Sequence, residues 1–390
     1  MHKIDRLHLN ITNACNLKCA YCFVTQRRSG NAPDFLRIDT IKRIIGSARH
    51  VGVRRFSISG GEPLTHPHFR QIIEACGSDA RVTLFTNLVK YDTQMFNDLL
   101  RQGRIKHLIV SLDGLDTHAR LRPPSHAESI IVAIQRCMEI APQLKVTINT
   151  VLTTLNLAEL DALADRLAQL GVNTWRLDLP MKSLSSELYP TFEEVARATA
   201  RLITKRYTNA SFAKIELLAF RAYKSPLEEI SLEDAINASD GDSHPCAYND
   251  GQITINADGR ATLCTPLTIN MCDVAEMDFS EIADSVSKHP FFLIKQSDVD
   301  HCTKCRYYGL CAGGCRADAL EWTGSYINPD PVACSLMPAV EKHVLPALSD
   351  KLRRVYSALI NSTGEQPKYS FVSQKEMIQV HPNQKGGKPC

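Results

Sequence analysis

From residue 4 to about 180, short runs with an apolar residue at every second position alternate with stretches whose apolar residues recur every three or four positions. The first kind predicts strands in "DRLHLNIT" (5–12), "RRFSISG" (54–60), "RVTLFTN" (81–87), "KHLIVSLDG" (106–114), "KVTINTVLT" (145–153) and "NTWRLDLP" (173–180). The second kind predicts amphipathic helices between them: "RIDTIKRIIGSARHVG", "HPHFRQIIEACG", "TQMFNDLLRQG", "AESIIVAIQRCMEI" and "LAELDALADRLAQLG". Several of these close at a glycine stop. Six β–α repeats with apolar central strands imply a parallel sheet curled with helices outside, short of the eight units of a closed barrel. The expected fold is therefore α/β, a partial (β/α)6 TIM-like barrel over residues 1–185. In such folds chemistry gathers where strands end and loops begin.

Beyond the repeats the pattern changes. Residues 186–243 read as a charged helical bridge, with "TFEEVARATARLITKRY" its clearest helix. "CAYNDGQITINADGRATLCTP" (246–266) reads as a β-hairpin turning at Asn-Ala-Asp-Gly, inside a small cysteine-rich domain over 244–337. "VEKHVLPALSDKLRRVYSALI" predicts one closing helix over 338–360. From Asn361 the polar, lysine-rich composition predicts a mobile tail, 361–390, with Cys390 an exposed terminal thiol.

With 390 residues, 44% of them hydrophobic, the chain can bury a large core and build more than one domain. Its net charge of only +3 argues against nucleic-acid or membrane binding by bulk charge. No stretch reads as a signal peptide or a bilayer span, so the expected setting is cytoplasmic. In that reducing compartment 14 cysteines read as metal ligands rather than disulfide partners. Cys15, Cys19 and Cys22 crowd one loop after the first strand, and seven more lie between Cys246 and Cys334.

Three thiolates on one loop can hold three corners of a four-iron, four-sulfur cube and leave one iron open, as catalysis requires. Structural zinc is the competing use, but it closes with four ligands, and no second pair sits nearby in sequence. The pattern C-x₃-C-x-φ-C, with Tyr21 as the aromatic, resembles the signature of radical S-adenosylmethionine (SAM) enzymes. It follows a first strand and heads a run of βα units, as that family requires. "SISGGEPL" (57–64) looks like the family's SAM-amino-binding motif, Gly60-Gly61-Glu62-Pro63. Glycines let backbone approach a ligand closely, Pro63 holds Glu62 extended, and a carboxylate complements an ammonium.

In "SLDG" (111–114), two-residue periodicity puts Ser111 and Asp113 on one face. The resemblance implies SAM contacts there, at Ser111 first. It also implies an arginine for the SAM carboxylate from "HARLRPP", Arg122 or alternatively Arg120, and cofactor-facing positions at Asn87 and Asn149. The chemistry implied is one-electron reductive cleavage of SAM, fed by a flavodoxin- or ferredoxin-type donor. The resulting 5′-deoxyadenosyl radical takes a hydrogen atom from the substrate.

The later group reads Cys246-x₁₂-Gly259-x₄-Cys264, then Cys302-x₂-Cys305-x₅-Cys311-x₃-Cys315, then Cys334. This resembles the SPASM extension of radical SAM enzymes that mature peptides and proteins. It implies two auxiliary [4Fe-4S] clusters, for three in all. Cys246, Cys264 and Cys315 would bind the first; Cys302, Cys305, Cys311 and Cys334 would bind the second. The first has three thiolates, so Asp240, Asp242, His244, Cys272 or an open iron completes it. Cys76 and Cys137 read as small buried hydrophobes on helical faces.

Peptide or protein maturation is the substrate class the resemblance favours, with oxidation of an amino sugar or alcohol second. Sulfatase-maturing relatives place an Asp after the hairpin cysteine; Thr265 stands here. The first strand begins by residue 5, so any leader peptide is expected to be recognised elsewhere or by a separate leader-binding protein. Two non-enzymatic readings compete. An electron carrier has no use for a ligand-binding Gly-Gly-Glu-Pro loop, and a zinc-dependent nucleic-acid module has no basic stripe here.

Overall fold

The computed structural model describes residues 4–24, 35–181, 186–219, 244–246, 251–299 and 301–380. All six expected strands are present: β1 (Arg6–Asn10), β2 (Arg55–Ser59), β3 (Arg81–Thr86), β4 (His107–Ser111), β5 (Lys145–Val151) and β6 (Thr174–Asp178). So are the five helices between them: α1 (Ile38–His50), α2 (Phe69–Ala75), α3 (Gln94–Arg101), α4 (Ala127–Ile140) and α5 (Leu160–Leu170). The class is the expected one, parallel β/α units of a partial TIM-like barrel followed by a cysteine-rich region. The chain divides into two compact units, residues 1–149 with 248–292, and residues 150–247 with 293–390.

In the first unit β1 to β5 pair in parallel in sequence order. Side chains alternate across each strand, so the sheet has two different faces. On one, Leu7, Leu9, Ile58, Val82, Leu84, Leu108 and Val110 are fully buried. Helix α1 likewise buries Ile41, Ile44 and Ile45. Each such side chain contributes about 1.5–3 kcal/mol. The other face is mostly polar and partly accessible: Ser57, Ser59, Thr83 and Ser111 are half-buried. Stability comes from the first face, which leaves the second free to bind something.

The hairpin forms where expected, as β8 (Gln252–Ile255) and β9 (Arg260–Thr262). Gly259 supplies the left-handed turn at φ +80°. What the alternation did not reveal is that β8 also pairs in parallel with β1, extending the first unit's sheet, and that β10 (Cys272–Asp273) pairs with β9. The α1 surface meets this extension: Arg43 donates to the carbonyls of Val274, Ala275 and Met277.

In the second unit β6 pairs in parallel with a strand that the helical reading of 186–243 missed, β7 (Glu216–Ala219). Trp175 lies beneath it, donating Nε1–H to Thr150 at 2.9 Å and meeting Phe212 edge-on. Helix α6 (Phe192–Thr208) starts at a capping box made by Thr191 and Glu194. The single closing helix expected over 338–360 is broken. A π-turn at Val340–Val344 runs into Leu345–Ala347, Leu348 is extended, and Ser349 caps a new helix over Asp350–Ala358. Pro346 and the capping serine explain the break.

The expected mobile tail also needs correction over 361–380. Glu365 pairs with the 304–306 backbone, Thr191 bridges Ser373, and Gln374 donates to the Pro180 carbonyl. Residues Gln374–Val380 form a last helix. Polar composition gave no sign of these backbone pairings. Cys390 lies outside the described residues. Among the described residues no helix is long and apolar enough to cross a membrane.

Candidate active site and cysteine pocket

Cys15, Cys19 and Cys22 lie in the loop after β1, at the carboxyl end of the parallel strands. Cys15 is exposed and the other two half-buried. Backbone bonds on both sides fix the loop. Gly61 N–H donates to the Thr12 carbonyl (2.7 Å) and Glu62 N–H to that of Ala14 (2.8 Å). From the other side Ala20 N–H reaches Leu121 and Lys18 N–H reaches Pro123. The two glycines are explained here: a Cβ on Gly60 would collide with the Thr12 backbone and one on Gly61 with the Ala14 carbonyl, and Gly60 sits at φ +145°. The close approach inferred from the sequence is thus made in part to the cysteine loop itself.

Glu62 is fully buried. Its Oε1 accepts from Leu64 N–H and the Thr86 hydroxyl (2.8 Å), and Oε2 accepts from Asn87 N–H (2.7 Å). Burial nonetheless pushes its pKa up to about 7, against those three hydrogen bonds. The carboxylate braces the end of β2 against the end of β3. Pro63 opens the single turn that follows. Asn87 faces the loop, donating Nδ2–H to Asn16 (2.8 Å) and toward the Cys15 sulfur (3.8 Å). Ser111 and Asn149 are register partners on β4 and β5, both half-buried at the strand ends.

Asp113 departs from the ligand-facing role expected of it. Its side chain is wholly buried, and Oδ2 accepts from Arg122 Nε (2.5 Å) and from the Tyr21 hydroxyl. Arg122 then reaches the Cys19 sulfur through Nη1 at 3.7 Å and lies over the Tyr21 ring at 5.3 Å. Of the two arginines the sequence allowed, Arg122 is the one tied to the cysteine loop. Its guanidinium opposes the burial that pushes the Cys19 thiol up to about 11. Tyr21 is held protonated by burial, with its hydroxyl donating to Asp113.

Sequence reasoning missed three members of this cluster. Asn16 receives Asn87, Thr86 bonds both Glu62 and Leu88 N–H, and His118 accepts from Asp113 N–H at 3.2 Å. Asn16 stood inside the quoted cysteine run, yet an amide in a loop has no spacing signal of its own.

The second unit gathers four more thiols. Cys302 and Cys305 flank a short 3₁₀ turn, Cys311 ends the turn at Tyr308–Cys311, and Cys334 lies in the helix Pro331–Ala339 capped by Asp330. All four are buried and line one small pocket, with Tyr308 and Ala333 on its walls. Burial pushes Cys302 and Cys311 up to about 12, and the Cys305 sulfur adds to the rise of both. Four buried thiols lose their protons together most readily against a cationic guest. Among the described residues no three His, Cys, Asp or Glu side chains converge on a single-ion site.

The remaining candidates are divided between the units. Cys264 follows β9 in the first unit, where Cys272 lies half-buried on β10; Cys246 and Cys315 belong to the second. His244 Nδ1 accepts from Cys246 N–H at 3.0 Å. Asp240 and Asp242 lie outside the described residues. Cys76 and Cys137 are wholly buried on helix faces, each pushed up to about 12 by burial, as small hydrophobes should be.

Comparison with known proteins agrees with this arrangement. Residues 9–167 match the family model described as the Radical SAM superfamily. An AdoMet-dependent heme synthase of Methanosarcina barkeri is 26% identical over 338 residues, covering 82% of this chain and 93% of that protein. A probable GTP 3′,8-cyclase of Methanococcus maripaludis is 28% identical over 215 residues, covering 53% and 70%. Among solved structures, Streptococcus suis SuiB bound to S-adenosylmethionine superposes with a TM-score of 0.65 at 19% identity, covering 86% of this chain and 78% of that one. Native anSMEcpe with bound AdoMet and the Kp18Cys peptide gives 0.67 at 16% identity, covering 91% and 99%. At these identities the structural likeness speaks for the fold. Residues 9–167 are thus a Radical SAM domain, and a cysteine-rich C-terminal region follows it.

Proposed function

We propose that this enzyme abstracts hydrogen from a side chain of a peptide or protein, using SAM and three [4Fe-4S] clusters. The observation that carries the reading is the open three-cysteine loop braced by Gly60–Pro63, Asn87 and the Tyr21–Asp113–Arg122 cluster. Cys15, Cys19 and Cys22 would hold the SAM-binding cluster. Ser111, Asn149, Asn87 and the Gly60–Pro63 segment would make the polar contacts to SAM, a reading supported by Ser111 and Asn149 lying side by side at the ends of β4 and β5. When bound, cluster and cofactor together supply reductive carbon–sulfur cleavage and hydrogen-atom abstraction.

The protein's own part is to position and exclude. Arg122, neutralised on one side by Asp113, keeps positive charge beside the Cys19 sulfur. The polar sheet face would receive the substrate, and the buried aliphatic face keeps the strands rigid behind it. Cys302, Cys305, Cys311 and Cys334 would hold a second cluster of structural or electron-relay type; the sequence pattern alone assigns Cys246, Cys264 and Cys315 to a third, completed by Asp240, Asp242, His244, Cys272 or an open iron. A flavodoxin- or ferredoxin-type protein would supply the electron. A peptide substrate is supported by the peptides present in two structural neighbours, SuiA with SuiB and Kp18Cys with anSMEcpe. A small-molecule substrate is the second reading, because two curated relatives are named for heme and GTP chemistry.

The test is anaerobic reconstitution of the full chain. About 12 irons per chain, and 5′-deoxyadenosine with methionine on adding dithionite and SAM, are the expected results. Iron-free, colourless protein after reconstitution would remove the reading.

A further inference from the structure

One buried polar cluster has no part in holding the cysteine loop. His8 and Asn10 point from β1 to the polar face of the sheet, and both are buried. Asn10 Nδ2 donates to Asn256 Oδ1 (2.8 Å) and to the Thr265 hydroxyl (3.1 Å), both on the hairpin side. Its Oδ1 is left facing His8 Nε2 at 3.2 Å, and Thr265 Oγ1 lies 3.3 Å from the same nitrogen. The Asn10 amide oxygen can only accept, so the tautomer that completes this bond carries the ring proton on Nε2, with the Thr265 hydroxyl able to accept beside it. Nδ1 is then a bare lone pair, and no described residue donates to it.

An imidazole tethered through one nitrogen stands on this face among side chains that could have been aliphatic, as they are on the opposite face. Two tethers fix the ring all the same, and Phe85 meets it edge-on at 5.4 Å. Burial also holds the ring neutral, with a pKa near 4. Register puts Ser57 beside His8 and Ser59 beside Asn10, so these two tiers offer hydroxyl, amide and imidazole groups without fixed charge. They lie below the strand ends by roughly 7 Å for every two residues.

We infer that His8 Nδ1 is the acceptor that anchors the substrate, receiving a hydrogen bond from an uncharged donor such as a serine hydroxyl, a cysteine thiol or a side-chain amide. The inference rests on the proposed radical reading and deepens it by naming the side-chain class. An imidazole neutral at working pH, tied to amides and a hydroxyl, discriminates against carboxylates and phosphates, which bring no donor to a lone pair.

Two variants separate anchoring from scaffolding. His8→Asn places an acceptor near the position of Nδ1 but loses the tether to Asn10, whereas His8→Gln keeps a donor near Nε2 and removes the Nδ1 acceptor. The reconstituted full chain is given SAM and dithionite with N-acetyl-serinamide, N-acetyl-cysteinamide or N-acetyl-aspartate, and 5′-deoxyadenosine is followed against probe concentration. Expected is stimulation by the two neutral probes only, with half-saturation raised about tenfold in His8→Gln, the weight of one hydrogen bond, and little changed in His8→Asn. Nitrogen-15 NMR of imidazole-labelled protein should show the Nε2–H tautomer, with the Nδ1 signal moving when N-acetyl-serinamide is added. The opposite ranking of the variants, an Nδ1–H tautomer, or wild-type cleavage of SAM indifferent to every probe overturns the inference and leaves the radical reading standing. Failure of the wild type to cleave SAM at all removes both.

Discussion

The two cysteine groups differ in what surrounds their sulfurs. Cys15, Cys19 and Cys22 sit on a loop, accessible in part, with an arginine and an amide directed at two of the sulfurs. Cys302, Cys305, Cys311 and Cys334 are buried in a pocket with apolar walls. Three ligands with access suit a site that must bind something further; four without access suit a site that only holds what it has. Ligand count and burial change together here, which is what separates a reactive centre from a closed one.

The sharpest way to break that contrast is to remove the open triplet. Replacing Cys15, Cys19 and Cys22 with Ala is expected to abolish reductive SAM cleavage and remove about four irons, leaving about eight. Continued 5′-deoxyadenosine formation would show that the wrong group was called reactive. Next, Cys311→Ala should also lose about four irons, yet SAM cleavage without product should persist while substrate turnover stops. Loss of both together would erase the distinction.

A smaller effect probes the charge beside the triplet. Arg122→Met leaves the buried Asp113 carboxylate unpaired, at a cost of about 3–5 kcal/mol in denaturant unfolding, recovered in large part by adding Asp113→Leu. An equal loss in the double variant would mean that packing, not charge, dominates. The smallest effect is one of pH and belongs to the first unit. His8 and His118 are both held near 4 by burial, against an ordinary 6.5. The unfolded chain binds the extra protons, so this stabilisation is complete above pH 6.5 and is lost as pH falls through 4. Between pH 7 and 5 each histidine should account for about 2 kcal/mol, and His118→Asn should flatten the wild-type slope measured by chemical denaturation.

The barrel was legible because its two periods are strong and local. Leu7, Leu9 and the matching positions on β2 to β4 are apolar at every second residue, and α1 repeats its isoleucines at helical spacing. The candidate site was legible as residue types but not as partnerships. Asp113 read as ligand-facing because periodicity fixes a face and says nothing of what already occupies it; Tyr21 and Arg122 do. Glu62 likewise read as a ligand for an ammonium, while Thr86 and Asn87, distant in sequence, take its oxygens. The union of β8 with β1 was invisible for the same reason, since pairing across some 240 residues leaves no trace in a local pattern.

The doubly tethered cysteine loop has a bearing on how the enzyme matures. Main-chain bonds from Gly61, Glu62, Lys18 and Ala20 tie the backbone of that loop to the turns after β2 and β4. Ordering of the loop is therefore coupled to formation of the sheet, and the protein's own hydrogen bonds bear part of the cost of holding it. Loading can follow folding, and a chain stripped by air should be recharged without first being unfolded.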